Sequence, residues 1–315
     1  MEEQGNKEDL QIEEKKPKSK GLILAHSIFV FVLLCLNYAL VFFHRSAPAV
    51  LSQSLADHLG VEIEEMSIFS SIYFWPYAIC QPFAGLLADV VDASYILIVS
   101  GLVAAIGSMI SGLSKVLGLA VFGRFLVGVG CAPTYIPICR IIMNWLPNKH
   151  FAIFSGIILA CGGAGGIIAQ APLKAFADIY GTTWSFCGIA MIGAVIEILV
   201  FIFVRGSPTK YGYPLPNPGD TPVDNMTIKD RFIQLGKNTK TVLSKRFVYL
   251  VAFYLFFING TYYNVASMWG GPYLQAIHPE MNEGTTLISL SIGMIGGSIL
   301  YPILSSLIRT RKYLG

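Results

Sequence analysis

Residues 95–113, YILIVSGLVAAIGSMISGL, and 116–139, VLGLAVFGRFLVGVGCAPTYIPIC, are two apolar runs joined by one Ser-Lys pair. Each is close to the ~20 residues that carry a helix across a bilayer. Neither alternates apolar with polar positions, and main-chain amides inside hydrocarbon must be satisfied within their own segment, so both read as helices rather than barrel strands. The single charge within the two runs is Arg124.

Working outward, the same pattern recurs at 21–43, 66–88, 151–173, 183–204, 247–269 and 286–308, giving eight expected spans. The composition agrees: 54% hydrophobic, 13% charged and a mean hydropathy of +0.61, against about 25% charge in ordinary soluble domains. The expected fold is an all-α membrane protein. A net charge of +3, scattered over polar connections, gives no nucleic-acid surface, so the expected partner is the lipid bilayer. The six cysteines form no Cys-x-x-Cys pair and fall in apolar runs, so neither a disulfide framework nor a zinc site is expected, and no cofactor. The first run is too long for a removable signal peptide and lacks its small-residue cleavage site, so it reads as a span.

Lysine and arginine set the expected orientation. With the N-terminus in the cytoplasm, 18 of them lie on the cytoplasmic side (the tail, Arg140, Lys149, the stretch 205–246, and Arg309, Arg311 and Lys312). The outer side holds Arg45, Lys115 and Lys174. Both chain ends are therefore expected to be cytoplasmic.

The spans divide unevenly. A tail, 1–20, precedes a six-helix unit, 21–204. A polar, Pro- and Gly-rich linker, 205–246, with room for a surface helix follows, and then a two-helix part, 247–315. Six helices, a basic linker and further helices is the layout of carriers built from two six-helix halves.

Several motifs then carry a resemblance. Gly85, Leu87, Ala88 and Asp89 in GLLADVVDAS match the Gly-x-Leu-Ala-Asp-Arg signature of the major facilitator superfamily, without its basic positions. RFLVGVG from Arg124 is similar to the superfamily's Arg-x-x-x-Gly-x-Gly, and GIILACGGAGG (156–166) to its Gly-rich fifth helix. FFHRSAPAVL (42–51) and WGGPYL (269–274) resemble prokaryotic-type members. The resemblance implies a complete six-helix N-terminal half plus two helices of the C-terminal half. It also implies secondary transport of a small solute by alternating access. Members usually have twelve helices, so the chain reads as a fragment, a truncated gene product or a shortened natural protein. A non-transporting, transporter-like membrane protein is the alternative.

Candidate site residues follow from polar groups inside spans. Arg124 lies about 12 Å deep, where insertion costs roughly 2.5–3.5 kcal/mol unless it faces a wet cavity; the resemblance gives it substrate or a coupling proton. Asn37 and Arg45 are eight residues apart on the first span and are expected on one face, and Arg45 with Arg124 forms a pair of guanidiniums suited to an organic anion. Tyr73 and Tyr77 flank Pro76 in the second span, and Asn259, Tyr262 and Tyr263 form a polar-aromatic face in the seventh. Glu197, an acid well inside the sixth span, is a candidate for coupling to a proton or ion, since desolvation brings a carboxyl toward neutral titration. The resemblance gives Asp89 a gating role, weakened by the missing basic partners. For each of these, helix packing or interfacial anchoring is the competing role. No protease, hydrolase-elbow or P-loop motif and no catalytic carboxylate pair is present, so the chain does not read as an enzyme, and no metal site is expected.

Overall fold

The computed structural model describes residues 19–214, 216, 228–265, 269–278, 280 and 283–308. Most of the expected tail, Arg309, Arg311 and Lys312, and the side chain of Asp89 lie outside what is described. The protein is all-helical: α1 (Lys20–Ser46), α2 (Pro48–Leu59), α3 (Met66–Ile72), α4 (Phe74–Val90), α5 (Ala93–Leu113), α6 (Leu117–Cys131), α7 (Tyr135–Trp145), α8 (Phe151–Ile168), α9 (Ala171–Tyr180), α10 (Thr182–Phe203), α11 (Ile228–Leu243), α12 (Arg246–Asn264), α13 (Gly270–Ile277) and α14 (Glu283–Ile308).

Among the described residues, five helical stretches are long and apolar enough to cross a membrane: Lys20–Ser46, Ala93–Leu113, Leu117–Trp145, Asn148–Tyr180 and Thr182–Phe203. The second expected span is split into α3 and α4. Pro76 has no N–H for the Ile72 carbonyl and its ring crowds that carbonyl, so the helix is interrupted at Tyr73. Pro172 does the same to Ile168, ending α8 and starting α9, and Pro133 separates α6 from α7. The fourth and fifth spans run further than hydropathy indicates, to Trp145 and Tyr180, because α7 and α9 are amphipathic and place Asn144 or Lys174 among apolar residues.

Glycine sets the tightest contacts. α5 packs on α6 and α10, and α1 on α8. A Cβ at Gly107 would lie 2.5 Å from the Gly123 carbonyl, so the α5–α6 crossing brings main chain against main chain. Ser108 and Ser111 add hydrogen bonds of 3.0 Å to the carbonyls of Phe186 and Ala120. α14 packs on α8 and α9, whereas α12 buries none of its residues.

The opening of the expected linker is folded onto the bundle. Trp145 Nε1 donates to the Arg205 carbonyl and Asn144 Nδ2 to the Gly206 carbonyl, both at 2.7 Å. His26 Nε2 donates to the Phe203 carbonyl at 3.0 Å, and the His26, Tyr211 and Tyr213 rings cluster with Trp145. Lys210 pairs with Asp92, which also caps α5 through Ser94. Burial pushes the Asp92 carboxyl up, but Lys210 and Ser94 outweigh it and hold the carboxyl below its ordinary value.

Candidate functional site

Arg45 and Arg124 are both 2% exposed, among the largest fully buried side chains of the protein. Arg45 ends α1 inside an aromatic cage: its guanidinium carbon is 4.8 Å from the Phe42 and Tyr77 ring centres, 5.9 Å from Tyr73 and 4.4 Å from Tyr263. Arg124 stands over Tyr73 at 4.6 Å and Phe69 at 5.7 Å, and its Nη1 donates to the His44 carbonyl at 2.6 Å. Ring faces hold these cations without neutralising them.

The proline break makes this arrangement. Interruption at Tyr73 sends its main chain toward α6, where a Cβ at Gly128 would overlap the Tyr73 carbonyl and lie 2.7 Å from the Pro76 ring. Glycine at that position admits the close approach, and Tyr73 then reaches both guanidiniums. Tyr77, one turn on, stacks on it with ring centres 5.6 Å apart.

Donors remain open here. Arg45 Nε and Nη1 and Arg124 Nε and Nη2 are buried with no hydrogen-bond partner. On Arg124 the open pair is one whole edge of the guanidinium, the edge that takes a carboxylate or related anion through two parallel hydrogen bonds. The Tyr73 hydroxyl is buried in the same region, with the Cys131 thiol as its neighbour. Desolvated donors left unmade are costly in a packed interior, and here they converge beside two charges of one sign.

Tyr262 borders the same region, its hydroxyl 3.5 Å from Met294 Sδ. Three polar residues that sequence reading passed over adjoin it. Gln170, wholly buried at the α8–α9 break, donates to Ser291 Oγ at 3.4 Å and leaves its Oε1 unpartnered. His44 supplies the carbonyl for Arg124. A lone glutamine between a Gly-rich run and Pro172 was the available signal.

Other expected residues go elsewhere. Asn37 does not share a face with Arg45: eight residues on a helix of 3.6 per turn leave about 80° between them. Its Nδ2 donates instead to Glu197 Oε1 at 2.6 Å, on a face of α1 turned away from the cage by that angle. Asn259 is exposed and donates to the Leu255 carbonyl at 3.0 Å. Among the described residues no cluster of His, Cys, Asp and Glu has the make-up of a metal site.

Comparison with known proteins places this geometry in context. The profile of the Major Facilitator Superfamily matches residues 34–315. The chain is 22% identical over 179 residues to the probable sulfoacetate transporter of Cupriavidus necator, covering 57% of this chain and 42% of that protein. It is 24% identical over 198 residues to the D-galactonate transporter of Escherichia coli, covering 61% and 44%. The chain thus spans less than half the length of these curated relatives. In fold it resembles a bacterial homolog of the human lysosomal transporter Spinster, crystallised inward-facing and unoccupied, with a TM-score of 0.57 and 20% identity over 90% of this chain and 60% of the other.

Proposed function

This chain belongs to the major facilitator superfamily, and on that premise we propose that it serves the secondary active transport of a small organic anion. The observation that carries the reading is the pair of fully buried guanidiniums with open donors inside an aromatic cage. A guanidinium edge recognises the planar or tetrahedral oxygens of a carboxylate, sulfonate or phosphate, and Tyr73, Tyr77 and Tyr263 offer ring faces to the carbon skeleton.

The substrates for which the two relatives are named, sulfoacetate and D-galactonate, are organic anions, which supports the reading without transferring either substrate. The site draws Arg45 from α1, Arg124 from α6 and Tyr263 from α12. It therefore joins the first six spans to the later helices, as alternating access between two bundles requires. In this reading the 205–246 stretch and both chain ends face the cytoplasm.

The test is uptake by proteoliposomes of radiolabelled D-galactonate and sulfoacetate. Saturable uptake of either, abolished by Arg124→Ala in protein that remains monodisperse, supports the proposal. Binding without flux favours a non-transporting role, and loss of neither binding nor flux in Arg124→Ala removes the arginines from the site.

A further inference from the structure

A second polar compartment adjoins the arginine cage along α1. Residues of α1, α5, α6 and α10 enclose a cavity of about 20 Å³, lined by Asn37, His44, Gly101, Cys131, Thr134 and Glu197 among others. That is room for about one water molecule. Glu197 is 2% exposed, accepts from Asn37 through Oε1, and leaves Oε2 without a hydrogen bond. Neither oxygen has an ion-pair partner among the described residues. Gly101 faces it from α5, where a Cβ would overlap the carboxyl group, so this crossing is shaped around Glu197.

A carboxylate ion in this place is a buried charge without a counter-charge, the costly state. A carboxylic acid is better matched: Oε1 accepts from the Asn37 amide, and an Oε2 hydroxyl gives the cavity a donor. The arginine cage connects to this compartment through His44, which lines the cavity and whose carbonyl receives Arg124 Nη1.

Building on the anion reading, we infer that Glu197 is a proton-binding site, loaded through the small cavity it shares with His44, Asn37 and Thr134, and coupled to the anion site by the His44–Arg124 bond. An anion seated on Arg124 pulls that guanidinium, the guanidinium pulls the His44 carbonyl, and α1 carries the shift to Asn37 and Glu197. The other titratable groups around the cavity are His44 from α1 and Cys131 from α6. α5 presents glycine and alanine, and the charged residues of α2 and α9, Asp57, His58, Lys174 and Asp178, lie outside the lining.

The experiment has two arms. In pH-difference infrared spectra of the purified chain in liposomes, a carboxylic-acid carbonyl band is expected that vanishes in Glu197→Gln and persists in Arg124→Ala. A spectrum unchanged by Glu197→Gln overturns the proposal, whichever solute is carried. In the second arm, D-galactonate or sulfoacetate accumulation driven by an inward proton gradient should fall at least tenfold in Glu197→Gln. Exchange of the same anion across the membrane should continue there, which also shows that the variant is folded, and Glu197→Asp should recover part of the accumulation. Undiminished gradient-driven accumulation in Glu197→Gln refutes coupling. Undiminished anion affinity in Arg124→Ala instead refutes the anion site, and leaves the infrared result standing as a proton site of its own.

Discussion

The Tyr263 ring of α12 lies 4.4 Å from the guanidinium carbon of Arg45 on α1. That contact brings a residue of the later helices onto a cation held by the first span, and so ties the cage to the relative placement of the two.

Replacing Tyr263 by alanine should open one wall of the cage. A cation–ring contact contributes about 0.5–2 kcal/mol, so the modification of Arg45 by an arginine-selective dicarbonyl should quicken several-fold. The rate is read by peptide mass spectrometry, and an unchanged rate would show that Tyr263 does not cover Arg45 in the bilayer.

Arg124→Lys keeps the charge and loses the two-donor edge. A charge-assisted hydrogen bond contributes about 2 kcal/mol, or roughly 30-fold in affinity. Titration of D-galactonate or sulfoacetate into purified protein should show that weakening, with His44 and the ring partners still in place.

Gly107→Val puts atoms where the Gly123 carbonyl already sits, 2.5 Å from the position of a Cβ. Overpacking of this kind costs about 1–3 kcal/mol. Thermal unfolding in detergent should begin several degrees lower, while Gly118→Ala, at a position with nothing within 4 Å of a Cβ, should leave it nearly unchanged.

The Asp92–Lys210 pair gives a pH signature. Its carboxyl is held below the ordinary aspartate value, so its stabilisation is present above the unfolded pKa of about 3.9 and is lost as pH falls through the lower folded value. Asp92→Asn retains a cap for α5 and removes the charge. With Lys210 side-chain exposure at 43%, the deficit should be below about 1 kcal/mol. It should appear at pH 7 and shrink as pH falls below about 4 in a comparison of unfolding temperatures.

The membrane fold was legible because hydrocarbon permits few solutions: apolar runs near 20 residues must be helices. The burial of Arg124 was legible because a guanidinium inside such a run needs a reason; that of Arg45 was not, since it lies two residues past the 21–43 run, was expected on the outer side, and is 2% exposed because α1 continues to Ser46. The partner of Asn37 was not, since an eight-residue spacing leaves a rotation that decides which neighbour is met. The split at Tyr73 was signalled by Pro76, but its outcome, a tyrosine shared by two arginines, depends on Gly128 of another helix, which one-dimensional spacing does not report. Gln170 and Ser291 lie far apart along the chain and meet only because α14 lies on α8 and α9.

The docking of residues 203–213 also has a mechanical meaning. His26, Trp145 and Asp92 hold Tyr213, Arg205 and Lys210 respectively, and so fasten this segment to α1, α7 and the start of α5. A displacement of this segment would therefore be divided among three rods instead of falling on the last turn of α10 alone.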